Sequence, residues 1–128
     1  MRLLLDTHIL LWAVLEPERL RAPLRALLED PDNTLLASSV SAFEIATKHR
    51  LGKLPGAAQL LDQYAYALGE LGACELAITT AHALKAASWS SPHRDPFDRL
   101  LAAQASVERV PLVSVDPVMP EFGIEVIA

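Results

Sequence analysis

The chain alternates short, mainly apolar runs with longer stretches whose apolar residues recur every three or four positions. The runs Leu3–Leu5, Leu35–Ala37, Glu75–Ala77, Leu112–Ser114 and Glu125–Ile127 read as strands. Between them, "RAPLRALLED" sets Leu24, Leu27 and Leu28 on one helical stripe. The stretch "SAFEIATKHRLGKL" offers Ser41 as an N-cap with Glu44 three residues on, a capping-box pattern, and ends near Gly52. "GAAQLLDQYAYALGEL" reads as one helix closed by Gly69 or Gly72, and "TTAHALKAAS" as a helix capped by Thr79 or Thr80. "DPFDRLLAAQASVERV" places Asp95 ahead of Pro96 at a first helical position. Strands alternating with helices predict an α/β fold, a parallel sheet covered on both faces. No repeat or linker divides the chain, so residues 1–128 read as a single domain; the longest irregular stretch is "SWSSPHRD", Ser88 to Asp95.

One residue interrupts this pattern. In "MRLLLDTHILLWAV", Asp6 falls between two apolar runs, where burying an unpaired carboxylate costs several kcal/mol. The conflict disappears if Leu3–Leu5 is a strand, Ile9–Leu15 a helix, and Asp6 the turn between them. Ligands of open α/β sheets bind beyond the carboxyl ends of the strands, which is where Asp6 then lies. Asp116 follows the strand "PLVSV", Glu44 opens the helix after "TLLAS", and Asp95 and Asp98 open the helix after the long loop. Strand C-termini and the following helix N-termini share one edge of a parallel sheet, so these acids converge.

Taken singly, each acid has an ordinary explanation. An Asp after a strand is commonly a turn residue, Glu44 a capping-box partner, Asp95 an N-cap, and Asp98 a helix-dipole partner. The shared edge and the broken apolar run set against that a carboxylate cluster, which persists only with a compensating cation. Hard oxygen donors point to Mg²⁺ or Mn²⁺, ions that clamp phosphates and activate water.

Composition narrows the alternatives. A net charge of −5 excludes a simply basic nucleic-acid binder, although bound divalent metal would reverse the sign locally. A single cysteine, Cys74, excludes an internal disulfide and a cysteine-based zinc site; its apolar context suggests a buried thiol. Asp6 and His8 break the N-terminal apolar stretch too early for a signal peptide, and no run reaches membrane-spanning length, so the expectation is a cytoplasmic protein with no membrane partner.

Four blocks in order carry a resemblance: "LLLDTHILLW", "SAFEIATKHRLGKL", "HRDPFDRLLAAQA" and "LVSVD". Together they resemble the motifs of PIN-domain ribonucleases, nearest to the VapC-type toxins of toxin–antitoxin pairs, and the likeness runs from Arg2 to the closing "GIEVIA". The resemblance implies a three-layer α/β/α PIN-like fold with a small, mainly parallel sheet. It implies an Mg²⁺- or Mn²⁺-dependent endoribonuclease, leaving 5′-phosphate and 3′-hydroxyl ends, held silent by a cognate antitoxin that covers the acidic groove. By position it gives a catalytic and metal-binding set of Asp6, Glu44, Asp98 and Asp116, with Asp95 an extra acid near the metal. Thr7 and Ser114 correspond to the small hydroxyl residues flanking the acids. Phe43 stands where relatives often carry Trp, a packing change.

Several further residues invite a role. Lys48, His49, Arg50 and Lys53 form the one compact basic stretch, so Lys48 and Arg50 are candidate RNA contacts, as is His93 in the loop before Asp95; solvated-surface and loop-ordering roles compete. His8 fits packing or hydrogen bonding better than ligation. Trp12 fits a core position and Trp89 a base-stacking one. Small residues at Ala57, Ala58, Ala65 and Ala67 suit a close helix contact, either inside the fold or across a homodimer. Two other functions compete. A receiver-type phosphoryl-transfer domain would need a Lys after a late strand, where this chain has "SVDP"; a non-catalytic RNA- or protein-binding module would not need the acids intact.

Overall fold

Leu3, Leu4 and Leu5 are all completely buried, and their alternate side chains enter two different cores. They form β1 (Arg2–Leu5), the central strand of a computed structural model that describes all 128 residues. The other strands are β2 (Thr34–Ser38), β3 (Ala73–Leu76), β4 (Leu112–Val113) and β5 (Val126–Ile127). Every pairing is parallel, in the order β3-β2-β1-β4-β5. The inner strands β1, β2 and β4 are buried on both faces, which is why they read as apolar runs rather than alternating ones.

Seven helices cover the sheet: α1 (Thr7–Leu15), α2 (Ala22–Glu29), α3 (Ser39–Arg50), α4 (Ala58–Asp62), α5 (Tyr64–Leu71), α6 (Thr80–Ser88) and α7 (Pro96–Glu108). On one face Leu3 and Leu5 pack with Ile9 and Leu10 of α1, Leu24 and Leu28 of α2, Leu60 of α4 and Leu68 of α5. On the other, Leu4 and Leu36 meet Leu101, Ala102 and Ala105 of α7, with Met119 and Phe122. The result is the three-layer α/β/α architecture. Helix α6 packs along α7, tied by the buried His82: its Nδ1 accepts from the Thr79 amide at 3.0 Å and its Nε2 lies 2.9 Å from Glu108 Oε2. No helix is long and apolar enough to cross a membrane.

Four sequence expectations need correction. The cap of α3 is Ser38, whose Oγ accepts from the Val40 amide at 3.0 Å, so Glu44 lies in the second turn and makes no capping box. The stretch from Gly56 to Leu71 is not one helix. A single turn at Pro55–Ala57 precedes α4 and α5, which break at Gln63 and end at Gly72 with φ of 75°. Leu60 of α4 and Leu68 of α5 still enter the same core across the break. Cys74 is exposed rather than buried, because β3 is an edge strand with only Ala73 and Leu76 turned partly inward. Of the four small residues, Ala57 and Ala67 pack into the chain's own core, whereas Ala58 and Ala65 face outward.

Candidate active site

The strand order reverses between β1 and β4, the switch point at which open α/β sheets form a crevice. Asp6 leaves β1 there, and Ser114 and Asp116 leave β4. The Asp6 amide donates to Val113 O at 2.9 Å, holding the two strand ends together. Ser114 Oγ donates to Asp6 Oδ2 at 2.5 Å and accepts from the Asp116 amide at 3.1 Å, so one hydroxyl orients both acids' surroundings. Asp116 Oδ1 accepts from the Val118 amide at 3.0 Å, fixing the turn that carries it. Asp6 and Asp116 line a hollow of about 280 Å³ with His8, Trp12 and Val115.

Two helices bring further acids. Glu44 is buried on α3, where Lys48 Nζ one turn later meets its Oε2 at 2.6 Å. Thr7, the first residue of α1, shares a buried 2.9 Å hydrogen bond with Ser41 of α3, coupling the helix beside Asp6 to the one beside Glu44. Asp95 is exposed and caps α7: its Oδ1 accepts from the Phe97 and Asp98 amides at 2.9 and 3.4 Å. Asp98 lies two positions into that helix, and His93 Nε2 reaches its Oδ2 at 2.8 Å.

The electrostatics reflect this proximity. Burial pushes the Asp98 carboxyl up to about 6; His93 pulls it back, while the charges of Asp95, Asp6 and Asp116 add to the rise. Asp6 is also raised, chiefly by burial, with Ser114 opposing and the charge of Glu44 contributing. The acids therefore repel one another across one crevice. Lys48 and His93 partner only two of them.

Of the residues considered as RNA contacts, Lys48 is paired with Glu44 and His93 with Asp98, while Arg50 is exposed at the end of α3. Trp89, expected to be open for stacking, packs on Phe122 with ring centres 4.9 Å apart. Arg99 was not singled out by sequence. Its guanidinium donates to the carbonyl oxygens of Ala86, Trp89, Ser91 and His93, ordering the irregular loop ahead of α7. The signal was available: a loop without regular structure must find donors for its carbonyls.

A divalent ion suits this donor set in kind, since it consists of hard carboxylate and hydroxyl oxygens whose repulsion Lys48 and His93 relieve only in part. No three Asp, Glu, His or Cys side chains stand close enough together to hold one ion in this structure.

The PIN domain family model matches residues 3–125. No curated protein matches the chain. Among solved structures, the chain is similar to one in the crystal structure of VapBC2 from Rickettsia felis bound to a DNA fragment from their promoter. The TM-score is 0.69 at 15% identity, covering 99% of this chain and 98% of that one. At that identity the likeness speaks for the fold, and it agrees with the family match over nearly the full length. The chain belongs to the PIN-domain family, a family of nucleases.

Proposed function

We propose that this chain is a divalent-metal-dependent endoribonuclease and the toxin of a toxin–antitoxin pair. The proposal rests on Asp6 and Asp116 lining one hollow at the β1–β4 switch point, where burial holds the carboxyl of Asp6, and that of Asp98 on α7, above the usual carboxylate range. Asp6, Glu44, Asp98 and Asp116 would hold Mg²⁺ or Mn²⁺, and Asp95, as cap, would reach the ion or its water shell. When bound, the ion supplies Lewis-acid polarisation of the phosphate and lowers the pKa of a water.

The chain's own residues prepare the site. Ser114 fixes the rotamer of Asp6, and the Thr7–Ser41 bond keeps Glu44 facing it. His93 holds Asp98 through Oδ2, leaving Oδ1 for a ligand. Lys48 balances the charge of Glu44 until a cation arrives. The attacking group in this reading is a metal-activated water; with the 3′ oxygen as leaving group, taking up a proton, the P–O3′ bond breaks and the products carry 5′-phosphate and 3′-hydroxyl ends.

The antitoxin partner is inferred from likeness to VapBC2, whose crystal structure is bound to a DNA fragment from their promoter. A homodimer using the outward Ala58, Ala65 and Tyr66 belongs to the same reading. Light scattering should then give twice the 13.9 kDa chain mass, and a monomer at micromolar concentration would count against it.

The test of the function is cleavage of a mixed cellular RNA pool. EDTA should abolish it, and added Mg²⁺ or Mn²⁺ should restore it. Cleavage indifferent to chelator, or none with either metal, would overturn the proposal.

A further inference from the structure

The hollow holding Asp6 and Asp116 does not end at those acids. Its other wall, His8 and Trp12, is also a wall of a larger groove of about 540 Å³ between α1 and the connection after α3. The two spaces adjoin at those side chains; the acids lie at the sheet edge, and Arg19 and Lys53 stand with Glu16 at the far end of the groove. The volume is that of a site for a small organic ligand, about 300–1,000 Å³.

Each part of the far end is placed by a local cause. Gly52, at φ of 76°, reverses the chain after α3 and folds residues 53–57 back over α1. Arg19 sits on the short turn Pro17–Arg19, its guanidinium 5.1 Å from the Trp12 ring centre and 3.1 Å from Glu16. Trp12 is half-buried, with its ring 6.0 Å from that of His8. Aromatic faces beside cationic ends are what single-stranded nucleic acid requires: a ring for the base, a cation for the phosphate. In a protein of net charge −5, Arg19 and Lys53 beside one aromatic ring stand out, with Glu16 the one carboxylate in the groove.

We infer that this groove is a subsite for one nucleotide of single-stranded RNA flanking the cleaved bond, its base stacked on Trp12 and its phosphate held by Arg19 and Lys53. The inference rests on the ribonuclease reading and adds where the strand leaves the acids. Arg19 exchanges its contact with Glu16 for the phosphate. Nothing here contacts the reacting phosphorus, so the subsite acts on binding more than on turnover.

Trp89→Phe leaves Trp12 as the sole tryptophan and, combined with Asp98→Asn, gives a protein that binds substrate without cutting it. Titration with a single-stranded oligoribonucleotide in Mg²⁺ should quench Trp12 fluorescence saturably. Arg19→Gln with Lys53→Gln, both exposed positions, should weaken that binding about tenfold and raise KM similarly in the cleaving protein, with kcat nearly unchanged. Cleavage with a silent Trp12 and an unaltered KM in the double variant would overturn the subsite and leave the ribonuclease reading standing. Quenching by RNA with no cleavage by the wild type under either metal would overturn the ribonuclease reading and keep the subsite. Quenching by a partner-derived peptide but not by RNA would reassign the groove to protein docking and overturn the inference.

Discussion

Asp98→Asn should lower RNA cleavage about 100- to 1,000-fold while making the metal-free protein more stable at neutral pH. The two effects share a cause. The Asp98 carboxyl is raised from 3.8 to about 6, so the folded state holds this proton more tightly than the unfolded chain does. Below about pH 4 the group is neutral in both states and its burial costs little; as pH rises towards 6 that stability is lost. Asparagine removes the charge and keeps a partner for His93. In chelator near pH 8 the variant should therefore melt a few degrees above wild type, and near pH 3.5 the two should coincide. Asp95→Asn supplies an equally good cap at an exposed position, so it should fold normally and cleave with a smaller loss, under about tenfold. Thermal melts and initial cleavage rates check all of this. Full activity in Asp98→Asn would remove that residue from the site.

Arg99→Ala should destabilise the protein by about 2–4 kcal/mol, the second large effect. Four carbonyls between Ala86 and His93 accept from this one guanidinium, and the loop has no ladder to replace it. Cleavage should fall as well, because His93 is held by that clamp on one side and reaches Asp98 on the other. Arg99→Lys should recover only part of the stability, since a point charge cannot reproduce the planar fork. Urea unfolding measures both; a loss below about 1 kcal/mol for Arg99→Ala would show that the loop is ordered by something else.

The sheet was legible because a parallel strand buried on both faces must be apolar where it is covered, as Leu3–Leu5, Leu35–Ala37 and Leu112–Val113 are. Asp6 was conspicuous for the same reason, as the one charge in that run. The start of α7 was legible from Asp95 and Pro96, where the chemistry is local. What the sequence hid was decided across space. Ser38, Ser39 and Ser41 all offer a hydroxyl to the start of α3. Only packing shows that Ser38 caps while Ser41 turns inward to Thr7. The apolar stretch at Cys74 could not reveal that its strand lies at the sheet edge. Lys48 and His93 looked like free cations because sequence does not show which carboxylate each one meets. Trp89 looked open for stacking because sequence does not show that Phe122, far along the chain, claims it.

The central claim is that the acids at the β1–β4 edge together hold a divalent ion, and calorimetric titration of Mn²⁺ into the metal-free protein at neutral pH tests it most directly. Wild type should show saturable binding. Asp6→Asn and Asp98→Asn should each weaken it at least about tenfold, and Asp62→Asn, an exposed acid on α4, should leave it unchanged. No saturable binding by wild type, or wild-type binding by the first two variants, would contradict the account.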